Sequence, residues 1–220
     1  MKLTVFDLDH TLLSGDSDVL WCQFLMDQGQ LDRASFEPRN RLMEQQYKAG
    51  TVSSLDFSLF YLSTLAGHDA AYWQPWRQRF LEQIIAPRIP AAARLLVQQH
   101  QRDGDAVVMS TATNHFITEL TAAHLSIEHL LATECEVAAD GCFTGRIHGT
   151  ANMREGKVTR LNAWLAARGQ TLDEVDSRFY SDSINDLPLL LAVRHAVAVD
   201  PDARLRGIAE DRGWKVLRFR

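Results

Sequence analysis

The chain has 220 residues, of which 46% are apolar and 23% charged, so it can bury a hydrophobic core and is not expected to be disordered. Its formal net charge is −5, which argues against a nucleic-acid partner because such a surface needs clustered Lys and Arg. The chain reaches Asp7 before any hydrophobic run suited to a signal peptide, and its three scattered cysteines fit free thiols, so we expect a cytoplasmic protein with no membrane partner.

Apolar runs of strand-forming residues alternate with helical patterns along the chain. The first run, residues 3–6, is followed at once by Asp7-Leu8-Asp9, so a buried strand would carry two acids at its carboxyl end. Further runs occupy residues 106–109, 177–180, 196–199 and 215–219. This alternation predicts an α/β fold, with a Rossmann-like, mostly parallel sheet flanked by helices.

Residues 16–90 have a different character, because they show helical spacing and many aromatic rings but no clear strand pattern. We expect an all-helical cap domain there, inserted into a core that comprises residues 1–15 and 91–220. A second local feature is a predicted hairpin over residues 133–149, which alternate around the tight-turn pair Asp140-Gly141.

The two acids after the first strand form the first chemical motif. Carboxylates as close as Asp7 and Asp9 resist joint ionisation unless a cation lies between them, and oxygen ligands suit Mg²⁺. One acid could then act as a nucleophile while the other carries a proton. Taken alone, the pair could also be two ordinary loop acids.

A second group of acids follows the run at 177–180, in the segment SDSIND at residues 181–186. Asp182 and Asp186 could ligate or orient a metal. The same segment also suits the start of a helix, where Ser183 or Asn185 would cap the first turn and acids are favoured. The two interpretations are compatible.

Two further residues could meet a phosphate. Thr111 follows the second strand and precedes Ala112-Thr113-Asn114 and a helix, where a hydroxyl and unpaired N–H groups can bind an anion, although an N-cap is the simpler interpretation. Lys157 starts another helix, where a cation opposes the helix dipole. A lysine at this position would be explained if its charge balances nearby carboxylates and a phosphate.

The order of these four segments is more specific than any one of them. FDLDHTLL, a strand ending in Thr111, Lys157 and FYSDSINDLPLL resemble the haloacid dehalogenase superfamily of aspartate-nucleophile phosphatases over essentially the whole chain. The helical block after the first motif is similar to a C1-type cap. The Gly-Lys-Val element at 156–158 and the Asp140-Gly141 hairpin are similar to those of the phosphoserine phosphatase-like subfamily IB.

The resemblance implies a Mg²⁺-dependent phosphatase that acts on a small phosphorylated metabolite through an aspartyl-phosphate. Asp7 would be the nucleophile and Asp9 the acid and base, while Thr111 and Lys157 would bind the phosphoryl group. Mg²⁺ would be held by Asp7, the backbone carbonyl of Asp9, and Asp182. Supporting or substrate-contacting positions would be Asp186 and Asn185 beside the metal ligands, and Asp16, Thr11, Ala112 and Asn114 near the substrate.

The cap should determine the substrate. Asp16 stands where phosphoserine phosphatases have a Glu near the substrate amine, whereas residues 49–61 lack the arginine that those enzymes use for the substrate carboxylate. Because an unpaired buried carboxylate is costly, we expect an amino-alcohol phosphate such as histidinol phosphate rather than phosphoserine. Aromatic rings that could attract its cation, or simply form the core of the cap, are Trp21, Phe57, Phe60, Tyr61, Trp73 and Trp76. Other arginines that could hold a carboxylate are Arg39, Arg41, Arg77 and Arg79.

Two alternatives remain open. A phosphotransferase or phosphomutase would share the fold and differ in the group that accepts the phosphoryl. A phospho-receiver signalling module also clusters acids, Mg²⁺, a Thr and a Lys, but it is a single compact unit without a long insertion after its first acids. Exposed aromatic residues in the helical block would allow either a monomer or a homodimer.

Overall fold

The alternation of strands and helices is confirmed in the computed structural model, which describes residues 1–219 without the side chain of Lys48. The strands are β1 (Lys2–Phe6), β2 (Ala106–Asn114), β3 (His129–Val137), β4 (Phe143–His148), β5 (Asp176–Ser181), β6 (His195–Val199) and β7 (Lys215–Leu217). The α-helices are α1 (Ser17–Asp27), α2 (Arg33–Ala49), α3 (Ser54–Leu62), α4 (Ala70–Phe80), α5 (Ala91–Arg102), α6 (His115–His124), α7 (Glu155–Ala166), α8 (Leu187–Ala192) and α9 (Ala203–Asp211).

The strands form a seven-stranded sheet in the order β4-β3-β2-β1-β5-β6-β7. Neighbouring strands are parallel except for β3 and β4, which are antiparallel. The predicted α/β fold with a mostly parallel sheet is therefore confirmed. The carboxyl ends of β2, β1 and β5 lie side by side, which is where open α/β sheets bind ligands.

Two strands differ from their predicted limits. β2 continues to Asn114 rather than ending at residue 109, because pairing with β3 extends through polar residues that the apolar run does not include. The predicted hairpin is present as β3 and β4, but β3 begins at His129 and also pairs with β2 inside the sheet. Alternation around the turn did not reveal this second pairing.

The two faces of the sheet pack against different layers, as the alternation of side chains in β1 requires. Leu3 and Val5 join a cluster with Leu161 of α7 and Leu205 of α9. Phe6 joins the opposite cluster, which includes Val97 of α5. Each fully buried side chain of this size contributes about 1.5–3 kcal/mol to folding.

Every regular element between residues 16 and 90 is helical, as predicted. Helices α1 and α4 share the core cluster of Phe6 through residues such as Trp21 and Trp73. A smaller cluster joins α1 to α3 and includes Phe57, Phe60 and Tyr61. The limits of a separate cap domain remain a prediction.

Most of the cap rings that could have attracted a substrate cation are packed in the interior. Trp21 and Tyr61 are 0% exposed and Trp73 is 2% exposed, so these rings stabilise the fold and are closed to a ligand. Phe57 is the one of the six predicted rings that lines the active-site cavity described below. Within residues 1–219, no helix combines the length and the apolar character needed to cross a bilayer.

Candidate active site

Three neighbouring strands deliver the predicted site residues to one edge of the sheet. Asp7 follows β1, Asp182 follows β5, and Thr111 lies near the end of β2. The backbone N–H of Asp7 donates to the carbonyl of Tyr180 over 3.0 Å, which continues the ladder between β1 and β5 up to the site. Hydrogen bonding of the sheet thus sets the position of the Asp7 carboxylate.

Lys157 links two of the acids. Its Nζ donates to Asp7 Oδ1 and to Asp186 Oδ2, each over 2.7 Å, and Ser181 Oγ also donates to Asp186 Oδ2 over 2.7 Å. The lysine is 2% exposed. Gly156 permits this placement, because a Cβ there would lie 2.0 Å from the carbonyl oxygen of Ala151.

The acids outnumber the cations around Asp7. The pKa of Asp7 is raised to about 7: burial is the largest cause, Lys157 opposes it, and the charges of Asp186 and Asp9 add to it. Burial works against the charge of Lys157, yet the carboxylates of Asp186 and Asp7 raise its pKa above the ordinary value. Burial and the Asp7 and Asp186 charges also raise the pKa of Asp182 well above its usual range. The single ammonium of Lys157 therefore does not neutralise the negative charge of these carboxylates.

Thr11 holds two carboxylates together. Its Oγ1 lies 3.1 Å from Asp7 Oδ2 and 3.2 Å from Asp182 Oδ1, and it accepts the backbone N–H of Asp182 over 3.0 Å. The residue is 2% exposed. Thr11 was predicted to contact the substrate, but its position favours orienting Asp7 and Asp182 instead.

These oxygens fit a hard divalent cation such as Mg²⁺. The carboxylates of Asp7 and Asp182 converge on Thr11, and the surrounding negative charge exceeds that of Lys157. Among the described residues, no group of three or more His, Cys, Asp or Glu side chains is placed to hold a metal. A cation at this point would accordingly need backbone, water or phosphate oxygens in addition to the two carboxylates.

Asp9 is held by groups from β2 and α1. Its Oδ2 accepts from Thr113 Oγ1 over 2.9 Å and lies 3.4 Å from Thr111 Oγ1, while its Oδ1 accepts the backbone N–H of Ser17 over 2.7 Å. Sequence reasoning singled out Thr111 and not Thr113. The two are two residues apart on a continuing strand and therefore point the same way, which is a signal that could have found Thr113.

Three other predicted positions have distinct surroundings. Ala112 lines the cavity beside Asp9. Asn185 lines it too, and its Nδ2 donates to the Tyr47 hydroxyl over 3.0 Å, which connects the core to α2. Asn114 is 2% exposed and caps α6, because its Oδ1 accepts the N–H of Ile117 over 3.0 Å. Its position favours a structural role over the predicted substrate contact.

A cavity opens from the carboxylates toward the cap. The inner part, of about 110 Å³, includes Asp7, Asp9 and Lys157 in its lining. An adjoining part of about 480 Å³ is lined by Glu44 among other residues. Asp16 and Tyr47 line both parts, so the cavity runs from the carboxylates of Asp7 and Asp9 to helix α2.

Arg154 and Glu44 are cavity residues that sequence reasoning missed. Arg154 lines both parts of the cavity, and its Nε donates to Ser54 Oγ over 3.3 Å. Its φ is 50°, a value that side-chain-bearing residues rarely adopt. The four arginines considered earlier lie elsewhere: Arg39 beside Phe36 and Phe60, Arg41 with Glu37, Arg77 with Glu119, and Arg79 with Gln28.

Known proteins share this architecture and sequence. A family model described as haloacid dehalogenase-like hydrolase matches residues 4–191. The chain belongs to the haloacid dehalogenase-like hydrolases. A histidinol-phosphatase of Neisseria meningitidis serogroup C (strain 8013) is 41% identical, and the match covers 100% of this chain and 99% of that relative. A phosphoserine phosphatase of Mycobacterium tuberculosis (strain ATCC 25618 / H37Rv) is 31% identical, with 98% of this chain and 70% of that relative covered.

Two solved structures share the fold of this chain. A Bordetella pertussis Tohama I protein of unknown function is 42% identical, with a TM-score of 0.93 and coverage of 98% of this chain and 97% of the other. A substrate-bound phosphoserine phosphatase shares the fold at 16% identity, with a TM-score of 0.72 and coverage of 98% and 92%. The predicted family and the predicted phosphatase class are confirmed, and the receiver alternative is removed.

Proposed function

We propose that this haloacid dehalogenase-like hydrolase releases phosphate from a small metabolite whose alcohol part carries a cation, with Mg²⁺ as cofactor and an aspartyl-phosphate as intermediate. Histidinol phosphate is the first candidate. The observation that carries the proposal is the cavity in which Asp16 and Glu44 adjoin the group formed by Asp7, Asp9 and Lys157. We also propose that the protein acts in the cytoplasm.

Asp7 supplies the nucleophile in this proposal. One carboxylate oxygen attacks phosphorus, and the bond between phosphorus and the ester oxygen breaks, which leaves an acyl phosphate on Asp7. Lys157 lies 2.7 Å from Asp7 Oδ1 and supplies positive charge beside the phosphoryl group. Phosphoryl transfer depends mainly on such positioning and charge neutralisation.

Asp9 moves the proton. It donates a proton to the departing alcohol oxygen and then, as a carboxylate, removes one from the water that attacks the acyl phosphate. That second step releases inorganic phosphate and regenerates Asp7. The hydrogen bonds from Thr113 and from the backbone of Ser17 hold the Asp9 carboxylate in one orientation. Thr111, whose hydroxyl lies near Asp9, would bind a phosphoryl oxygen.

Asp7, Asp182 and the backbone carbonyl of Asp9 would hold Mg²⁺. The bound cation would neutralise phosphate charge and favour the ionised form of Asp7. Asp186 would act through Lys157, to which it is hydrogen-bonded over 2.7 Å. Asn185 would connect this region to the cap through Tyr47.

The cap side of the cavity favours a cationic and flat leaving group. Glu44 provides negative charge, Asp16 adds a second one when it is ionised, and the rings of Tyr47 and Phe57 lie stacked with their centroids 4.1 Å apart in the cavity wall. Carboxylates and aromatic rings are the groups that attract an ammonium or imidazolium ion. The 41% identical relative named histidinol-phosphatase supports this choice over its full length.

Phosphoserine is the second candidate. Arg154 and Arg204 line the cavity and would be able to bind the substrate carboxylate, for which residues 49–61 offer no arginine. The 31% identical relative named phosphoserine phosphatase also supports it. Its carboxylate would nevertheless share the cavity with Asp16 and Glu44, which disfavours an anionic alcohol part.

A panel of esters tests the proposal. We expect Mg²⁺-dependent phosphate release to have the highest kcat/KM for histidinol phosphate, with phosphoethanolamine and phosphocholine ahead of neutral sugar phosphates and of phosphoserine. Leading turnover of phosphoserine would favour the second candidate and a carboxylate contact at Arg154. Transfer of the phosphoryl group to an added alcohol, with little free phosphate, would instead support a phosphotransferase. No turnover of any ester would contradict the proposal.

A further inference from the structure

A chain of buried hydrogen-bonding groups lies behind Asp9. Thr113 Oγ1 has three oxygen neighbours: Asp9 Oδ2 at 2.9 Å, Ser17 Oγ at 3.1 Å and Asp18 Oδ2 at 3.3 Å. Thr113 is on β2, whereas Ser17 and Asp18 are in the first turn of α1. Thr113, Ser17 and Asp18 are each 3% exposed or less, so water does not substitute freely for any of these contacts.

The hydrogens in this chain can be counted. A threonine hydroxyl has one hydrogen to donate and two lone pairs to accept with. The shortest contact, to the Asp9 carboxylate, takes the hydrogen, and the Ser17 hydroxyl donates to one lone pair. The contact with Asp18 is then a hydrogen bond only if Asp18 is the donor. In this assignment of the hydrogens, Asp18 is a neutral carboxylic acid.

The surroundings of Asp18 agree with the neutral form. Its other oxygen, Oδ1, is buried and has no hydrogen-bond partner within the described part of the chain. The pKa of Asp18 lies well above its usual range: burial is the largest cause, the charges of Asp16 and Asp9 also raise it, and the contact with Thr113 lowers it by less. A buried ionised carboxylate between two other acids would be far more costly than the acid.

We propose that Asp18 is a positioning residue that donates to the Thr113 hydroxyl and so commits the hydrogen of Thr113 to Asp9. The inference rests on the proposed role of Asp9 as acid and base. With Asp18 as donor, Asp9 receives a hydrogen bond of fixed direction, which becomes charge-assisted once Asp9 has given its proton to the leaving alcohol. Asp18 lines the inner part of the cavity together with Thr113, and its side chain contacts Asp9 through the Thr113 hydroxyl.

Two neutral substitutions of Asp18 distinguish the loss of a hydrogen-bond donor from a change in packing. Asn at position 18 keeps a neutral group with an N–H that can donate to Thr113, whereas Leu keeps a similar volume and cannot donate. We expect Asp18→Asn to keep kcat within about threefold of the wild type, and Asp18→Leu to lose about tenfold or more in kcat, because the Thr113 hydroxyl is then no longer held toward Asp9. The change in kcat should exceed any change in KM in both variants, because the effect of Asp18 passes through Asp9.

A matched pair at Thr113 tests the same chain from the other end. Thr113→Ser retains the hydroxyl and should retain most of kcat, whereas Thr113→Val should lose kcat as Asp18→Leu does. The double variant Asp18→Leu/Thr113→Val should be no slower than the slower single variant, because Asp18 acts on Asp9 only through the Thr113 hydroxyl. Asp27→Leu, at the exposed end of the same helix, is the control and should leave both constants unchanged.

Each outcome has a defined meaning when folding is checked by circular dichroism and thermal melting. The inference is overturned if Asp18→Asn is as slow as folded Asp18→Leu, if folded Asp18→Leu is as fast as the wild type, or if the two losses multiply in the double variant. If Asp18→Leu does not fold, the comparison of Thr113→Ser with Thr113→Val decides. A wild type without phosphatase activity would overturn the proposed function and this inference together, whereas an active wild type with unaffected variants overturns the inference alone.

Discussion

The ammonium group of Lys157 lies 2.7 Å from Asp7 Oδ1, and neither side chain is more than 9% exposed. The same ammonium lies 2.7 Å from Asp186 Oδ2. The only positive charge in these two contacts is therefore shared between two buried acids. Because buried charges are stable only when paired, Lys157 serves both the fold and the chemistry.

Replacing Lys157 with Met should reduce both activity and stability. The change leaves Asp7 and Asp186 without their ammonium, and breaking a buried ion pair costs about 3–5 kcal/mol. We expect this loss in the free energy of unfolding measured by urea denaturation, with phosphate release reduced by at least about a hundredfold. Lys215→Met, at an exposed position of β7, is the control. Equal free energies of unfolding for Lys157→Met and Lys215→Met would contradict the buried ion pairs assigned to Lys157.

Asp16 should make the binding of cationic esters depend on pH. The pKa of Asp16 is raised to about 8: burial is the largest cause, the charge of Asp9 also raises it, and hydrogen bonds from the backbone of Val19 and Asp18 lower it. Asp16 is thus mostly neutral below pH 8 and gains its charge as the pH rises through that value. We expect KM for phosphocholine, a permanent cation, to fall about fivefold between about pH 7 and pH 9.

A neutral sugar phosphate measured in parallel provides the reference for this pH effect, since both esters carry the same phosphate charge above about pH 7. Asp16→Asn should remove the difference between the two esters. If KM for phosphocholine follows the neutral ester at every pH in the wild type, Asp16 does not meet the cation.

Glu44 should discriminate between esters by charge. It lies three residues before Tyr47 on the same face of α2, and both residues line the outer cavity. We expect Glu44→Gln to raise KM for histidinol phosphate and phosphoethanolamine by about fivefold, because a charge pair of about 1 kcal/mol is lost. KM for a neutral sugar phosphate should not change. Glu82→Gln, an exposed change in the cap segment, should affect neither ester; equal increases for both esters in Glu44→Gln would indicate a packing defect.

Asp105 should stabilise the fold without affecting the site. It accepts from Thr4 Oγ1 over 2.8 Å and contacts His100 Nδ1 at 2.7 Å, while His100 Nε2 contacts the Tyr180 hydroxyl at 2.8 Å. Asp105→Ala would leave buried polar groups without partners, at a cost of about 1–3 kcal/mol in the free energy of unfolding. Kinetic constants should be unchanged.

The sign of the pH effect follows from the pKa of Asp105. Burial raises this pKa, but hydrogen bonds from Thr4 and His100 lower it more, so it lies below the ordinary value of 3.8. A depressed carboxyl pKa stabilises the fold above the unfolded-state value and is lost as the pH falls through the folded-state value. The stability difference between the wild type and Asp105→Ala, measured by denaturation, should therefore narrow below pH 3.8; a constant difference would contradict the role of the charge.

Much of the site could be predicted because its backbone positions follow from the sheet. Asp7, Thr111 and Asp182 each follow or end an apolar run, and the carboxyl ends of parallel strands meet at one edge. The neighbours of each side chain could not be predicted in the same way. Thr113 lies nearer to Asp9 than Thr111 does, because β2 continues to Asn114 beyond its apolar part.

The specificity side of the cavity was less accessible to sequence reasoning. Glu44 belongs to none of the sequence motifs. Its spacing of three residues from Tyr47, which places both on one face of a helix, was the signal that could have indicated a shared site. Arg154 lines the cavity from the core, and its own backbone has a φ of 50°. The local sequence does not indicate this backbone conformation. Cap rings such as Trp21 and Tyr61 could be assigned to packing only once the contacts between helices were known.

The central claim is that Asp7 transfers the phosphoryl group, and phosphate release by Asp7→Asn tests it most directly. Initial rates with histidinol phosphate would be measured for the wild type and the variant, with and without Mg²⁺, after matching their circular dichroism spectra. We predict turnover that requires Mg²⁺ in the wild type and a loss of at least about a thousandfold in the folded variant, since an amide cannot replace the carboxylate nucleophile. Turnover by Asp7→Asn at a rate near that of the wild type would contradict the account.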